Sequence, residues 1–266
     1  MIDLSLIWIL IIGLGVLIYV VLDGFDLGIG ILFPFISDRQ ERDVMMNTVA
    51  PVWDGNETWM VLGGAGLFAA FPLVYSTVLS ALYMPIILMV IALIFRGVAF
   101  EFRFKANKTK HLWDQAFIWG SILSSFLQGV ILGAYIQGIE TTNGIYTGGG
   151  LDWLTPFSLF TGISVVVLYA TLGCGWLIFK TEKMLQNRMF ELMPKLLISL
   201  LMIFACVSIY TPLAHPQIAE RWFSQPQLFY FSPVPVLVLL FTFLAIKACK
   251  QRKEFLPFIY TLALVI

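Results

Sequence analysis

Two carboxylates three residues apart, Asp23 and Asp26, interrupt an otherwise apolar run in LIYVVLDGFDLGIG. Asp54 and Glu57 repeat that spacing in WDGNETW, and Arg96 and Glu101 stand in FRGVAFEFR. Residues three apart share one face of a helix. An ionisable side chain inside an apolar span is costly unless it is paired or hydrated. Four acids on two successive segments, with a cation on the third, support two readings. They can form a carboxylate relay that carries protons inward, or hold a cation. They can equally be structural: acids in the first turns of a helix gain about 0.3–1 kcal/mol from its dipole, and Arg96 can neutralise an acid or snorkel to the interface. Asp23 and Asp26 lean towards chemistry, because they lie well inside a span where no cap is needed. Trp53, beside Asp54, is the one tryptophan with a functional reading besides the interfacial one.

Membrane helices carry these groups. The chain has 266 residues, 59% of them hydrophobic and 12% charged, with a mean hydropathy of +0.90. No charged side chain occurs from Thr58 to Phe95 or from Ala116 to Ile139, and roughly 20 apolar residues suffice to cross a bilayer as helix. A water-soluble enzyme is excluded. The expected fold is all-α and polytopic, with full spans near 5–30, 52–71, 76–98, 115–138, 155–179, 195–213 and 233–248. An eighth starts at Phe255 and reaches Ile266 before it could cross, so the chain reads as incomplete at that end. Lys and Arg fall almost wholly in alternate connections, such as Arg39 and Arg42, or Arg103 to Lys110. Basic loops mark the cytoplasmic side, which places the N-terminus outside and all six charged site residues in or at the inner half of the membrane. MIDLSLIWIL lacks a basic start and reads as a retained first span.

Ser37 with Gln40 fits a capping box opening a short polar helix over 38–49, and Pro51 fits the first position of the second span. The outer loop from Thr141 to Leu154 reads as irregular. Gly24/Gly28 and Gly129/Gly133 have a spacing that lets helices approach closely. The only two histidines, His111 and His215, fall in loops, so no span offers one to a haem iron. Cys174, Cys206 and Cys249 show no metal-ligand spacing and read as small buried hydrophobes. Nothing resembles a phosphate-binding loop, a zinc-protease motif or a serine triad, and balanced charge, 16 basic against 16 acidic residues, gives no sign of nucleic acid.

Four blocks in order, LDGFDLGIG, APVWDGNETW, GLFAAFPLVY and FRGVAFEFR, resemble subunit II of the cytochrome bd-type terminal quinol oxidases. The resemblance is densest over residues 18–104 and looser beyond. It implies a heterodimer with a homologous haem-bearing subunit I in the bacterial cytoplasmic (inner) membrane, a respiratory-chain complex that oxidises quinol and reduces dioxygen to water. Subunit I would carry two haems b and a haem d (or a third haem b), and subunit II would ligate none. The resemblance makes Asp54 beside Trp53 the leading proton-pathway acid, with Asp23 and Asp26 its neighbours; with the spacing above, Glu57 joins the pathway set, and Trp53, Arg96 and Glu101 read as structural support of that site. It leaves room for a bound quinone and for a small accessory membrane subunit. It also implies nine spans: within one integral membrane domain over 1–266, residues 5–138 would form a first four-helix bundle and 155–266 an incomplete second.

Two other classes compete. A proton- or cation-coupled transporter would use intramembrane acids and broken helices, but the acids cluster in spans one to three, with no matching set in spans four to seven. A purely structural scaffold would make every acid a cap or a salt bridge.

Overall fold

The computed structural model describes residues 3–214 and 216–266, so His215 lies outside the described residues. α1 (Leu4–Leu32) is capped by Asp3, whose carboxylate accepts from the Ser5 N–H at 3.0 Å, and a 3-10 turn, Phe33–Phe35, follows it. Next come α2 (Arg39–Asn47), α3 (Trp53–Ala70), α4 (Pro72–Arg103) and α5 (Lys110–Gln137). A hairpin of β1 (Thr141–Thr142) and β2 (Ile145–Tyr146) leads to α6 (Pro156–Lys180), α7 (Lys183–Ala214) and α8 (Pro216–Phe223). The last elements are α9 (Gln227–Phe231), α10 (Pro233–Lys250) and α11 (Leu256–Val265).

Six stretches are long and apolar enough to cross a membrane: Leu4–Phe35, Pro72–Arg103, Lys110–Gln137, Pro156–Lys180, Lys183–Ala214 and Gln227–Lys250. The protein is an all-α, multi-pass membrane protein. The expected second span is present as α3, but WDGNET in its first turns dilutes its hydropathy and keeps it out of the six. The expected eighth segment is α11, an apolar helix of 10 residues.

The chain forms two compact units, one ending at Gly173 and the other Cys174–Ile266. In the first, α1 packs along α3 and α5, and α4 lies along α5. The two glycine pairs explain how close its helices come. A Cβ on Gly28 would overlap the Tyr169 carbonyl oxygen, and one on Gly129 would overlap that of Thr161, so both pairs seat α6. α4 bends at Leu82 (φ −116°, ψ 17°), three residues before Pro85, whose missing N–H and ring bulk break the helical ladder there. In the second unit α10 packs against α7 and α11. Cys174 and Cys249 are buried in that unit as expected, whereas Cys206 is exposed on α7.

Three local expectations are corrected. Asp38, not Ser37, caps α2: its carboxylate accepts from the N–H groups of Gln40 (2.7 Å) and Glu41 (3.0 Å). The aspartate stands directly before the first helical residue, Arg39, so the second and third helical N–H groups fall within its reach. Pro51 lies in a turn, and Val52 is the residue that flanks α3. The loop after α5 is not wholly irregular. Asn143 (φ 53°) and Gly144 (φ 79°) make the two left-handed positions of a tight hairpin turn, the conformation that Asn-Gly favours. Thr77 on α4 holds this turn by donating to the Gly144 carbonyl at 2.7 Å.

Candidate functional site

The site lies in the first unit, where α1, α3 and α4 meet. Arg96 projects from α4 and is wholly buried. Its Nη1 is 3.0 Å from Asp23 Oδ1 and 2.6 Å from Glu57 Oε1, and its Nη2 is 3.6 Å from Asp26 Oδ2. The three-residue spacing of Asp23 and Asp26 on α1 turns both towards the guanidinium, as the helical repeat requires. Counting every group as ionised, three carboxylates face one guanidinium, −3 against +1. Protons or a further cation are what can balance such a site.

Asn56 adds a partner the sequence reading passed over because an amide does not titrate. Its Nδ2 donates to Asp26 Oδ2 at 2.8 Å and to the Leu22 carbonyl at 3.4 Å, tying α3 to α1. Its place between Asp54 and Glu57 was the available signal. The aromatic floor is also ordered. Trp53 stacks on Phe100, and its ring approaches Gly97, where there is no Cβ in the way. Arg96 also lies over the Phe100 ring, its Cζ 5.7 Å from the centroid.

Not every expected residue joins. Asp54 is exposed, and among the described residues its carboxylate accepts only from the adjacent Gly55 N–H, at 2.8 Å. It is one helical turn from Glu57 and does not touch Arg96. Glu101 is exposed too and pairs with Lys105 one turn on, at 3.4 Å. The structure thus brings Asp23, Asp26, Glu57 and Arg96 together, sets Trp53 beside them, and leaves Asp54 and Glu101 at the surface.

A second ionic cluster stands at the ends of α4 and α5. Arg103, fully buried, donates from Nε to Asp114 Oδ1 at 2.5 Å and from Nη1 to Asp43 Oδ1 at 2.6 Å. Arg42 reaches Asp114 Oδ2 at 3.1 Å, and Lys110 reaches Asp43 at 2.9 Å. The neighbours Arg42 and Asp43 thereby clasp α2 to α4 and α5. Arg42 and Arg103 both lie over the Phe33 ring, each 5.2 Å from its centroid. Edge-to-face contacts run from Phe33 to Phe117 and on to Phe100, so aromatic rings connect the two clusters. Partial burial works against ionisation of Asp43, but hydrogen bonds from Lys110 and Arg103 outweigh it and hold its carboxyl below the ordinary 3.8.

These features define a polytopic helical membrane protein with a buried, carboxylate-rich ionic site. Residues 4–266 match the family model of cytochrome bd terminal oxidase subunit II, and the chain belongs to that family. It is 36% identical over 191 residues to a probable cytochrome oxidase subunit 2 of Haemophilus influenzae, covering 68% of this chain and 50% of that protein. It is 34% identical over 197 residues to the cytochrome bd-I ubiquinol oxidase subunit 2 of Escherichia coli K12, covering 70% and 51%. These matches therefore span about half the length of either relative. The cytochrome bd ubiquinol oxidase subunit 2 of Bacillus subtilis is 30% identical over 252 residues, 93% of this chain and 72% of that one. Among solved structures, the bd oxidase of Geobacillus thermodenitrificans superposes with a TM-score of 0.81 at 17% identity, covering 99% of this chain and 81% of its own, and so shares the fold.

Cytochromes carry haem, but the site above does not fit a haem iron. Its buried donors are carboxylates, not the imidazole, thioether or thiolate of the usual axial sets. His111 is exposed at the start of α5, and among the described residues no three His, Cys, Asp or Glu are placed to hold a metal ion.

Proposed function

We propose that this chain is the second subunit of a bd-type quinol oxidase in the bacterial cytoplasmic membrane, with its N-terminus outside and a homologous haem-bearing subunit as its partner. Haems b and d (or a third haem b) in that partner would supply the electron-transfer and oxygen chemistry. This chain would support assembly and conduct protons from the cytoplasmic side towards the partner. A quinone bound in this subunit and a small accessory subunit are compatible additions. Residues 5–138 and 155–266 would belong to two successive helix bundles of one membrane domain.

The observation that carries the proton reading is a gradient of exposure along four acids. Asp54 is exposed, the Glu57 side chain keeps 23% of its surface, and Asp26 and Asp23 keep 0% and 1%. Asp54 and Glu57 are one turn apart on α3, and Glu57 shares Arg96 with the two inner aspartates. A proton taken up at Asp54 would pass to Glu57 and then to the pair on α1, with Arg96 holding the acceptors in register. This ordering gives Asp54 the mouth and Glu57 the link.

The test is oxygen consumption with quinol as donor by the assembled complex. Asp54→Asn and Glu57→Gln are expected to slow turnover about 10-fold or more, on the scale of a displaced proton-transfer group, with haem content retained. Full turnover in both variants would sink the proton route. Loss of haem in either would make that residue a structural one.

A further inference from the structure

Three residues outside the acid cluster form a polar chain that ends beside it. The Tyr169 hydroxyl on α6 donates to Gln128 Oε1 on α5 at 2.7 Å, and Gln128 Nε2 donates to the Tyr19 hydroxyl on α1 at 2.8 Å. Tyr19 lies one helical turn before Asp23, on the same face of α1. Tyr19 and Tyr169 are both buried. The Tyr169 ring is seated against Gly24, next to Asp23, where a Cβ would clash with it.

The orientation of the Gln128 amide, oxygen towards Tyr169 and NH2 towards Tyr19, sets the direction of the chain. In that orientation Gln128 donates to Tyr19. The Tyr19 oxygen is then an acceptor on that side, and its own proton must go elsewhere. Both Asp23 oxygens are buried; Oδ1 has Arg96 Nη1 at 3.0 Å as its ionic partner, and among the described residues neither oxygen has a well-aligned hydrogen-bond donor. A buried carboxylate gains from a further donor, and the Tyr19 proton is the one free to serve.

We propose that Tyr19 is a positioning residue for Asp23, and that Tyr169, acting through Gln128, commits the Tyr19 hydroxyl to that carboxylate. Without Tyr169 the Gln128 amide can turn over and offer its oxygen to Tyr19, competing with Asp23 for the same proton. The inference deepens the proton-route reading and rests on it for its meaning in turnover. The groups facing Asp23 are Tyr19 and Asp26 on α1, Glu57 on α3, Arg96 on α4 and Tyr169 on α6.

The experiment follows the Asp23 carboxyl band by infrared difference spectroscopy of the assembled complex through a pH titration, the band being assigned by its loss in Asp23→Asn. Tyr19→Phe removes one oxygen and no volume; its midpoint is expected to move to alkaline pH by about one pH unit, the effect of deleting a hydrogen bond to a charged group. Tyr169→Phe is expected to move it the same way by less. Adding Gln128→Leu to Tyr169→Phe removes the competing oxygen and is expected to return the midpoint towards that of the parent. An unmoved band in Tyr19→Phe overturns the proposal, and so does a double variant no closer to the parent than Tyr169→Phe alone. If the band moves while the pH profile of oxygen consumption does not, the positioning stands and the proton-route reading falls.

Discussion

Trp53 lies flat on Phe100, with ring centroids 5.0 Å apart and planes 7° from parallel. The contact joins the first residue of α3 to α4 at the level of Arg96, and it sets where the peptide carrying Asp54, Asn56 and Glu57 begins. Stacked aromatic pairs contribute beyond the area they bury because their quadrupoles are complementary in offset geometry.

Trp53→Leu keeps an apolar contact and deletes the stack. The complex is expected to lose about 0.5–1.5 kcal/mol of stability, read as a lower midpoint of thermal unfolding in detergent. A Trp53→Phe variant should recover most of the loss. Equal losses in the two variants would mean that bulk, and not the stacked geometry, is what α3 requires.

At the far end of α4, Arg103 is fully buried between its partners. Asp114→Asn removes one of its two carboxylates and weakens the hold on Arg42 as well. Breaking a buried ion pair from one side costs about 3–5 kcal/mol. The expected outcome is a large fall in the yield and thermal stability of the assembled complex. The control is Glu101→Gln at the exposed Lys105 pair, where the change should lie near zero to 1 kcal/mol. A mild Asp114→Asn phenotype would show that Asp43 alone satisfies Arg103.

Asp43 gives this clasp a pH dependence. Its carboxyl in the folded chain is held below 3.8 by Lys110 and Arg103, so its contribution is complete above about pH 4 and is lost as the pH falls through the lowered value. Its side chain keeps 34% of its surface, so solvent screens part of the effect. Thermal unfolding followed from neutral pH down to about pH 3 should show an acid limb in the parent that is shallower in Asp43→Asn. Parallel acid limbs would assign the dependence to other carboxylates.

Much of this could be read from the residue order. Asp23, Asp26 and Arg96 stand out because charge is scarce in the apolar runs around them, and scarcity is itself a strong signal. Arg103 and Asp114 carry no such signal. Both sit at span ends, where charges are ordinary, and only the packing of α2 across the ends of α4 and α5 makes them interior. Asn56 was missed for the complementary reason: its role depends on donor geometry and not on charge. The hairpin, by contrast, was legible in Thr-Asn-Gly-Ile, and only the expectation of an irregular loop obscured it. Asp54 shows the opposite limit. Its motif is distinctive, yet its exposure could not be known without the turn over residues 48–52 that lifts the start of α3.

The partnership of Glu57 and Arg96 also bears on how the chain enters the bilayer. α3 presents two acids and an amide in its first turns, and an acidic residue deep in a lone helix costs about 2.5–3.5 kcal/mol on the translocon scale. The cation that pairs with Glu57, Arg96, is synthesised 39 residues after it. Only Phe71 separates the end of α3 from the start of α4. Release of α3 into lipid is expected to be easier once α4 has emerged, because Arg96 can then pair with Glu57 within one helical hairpin.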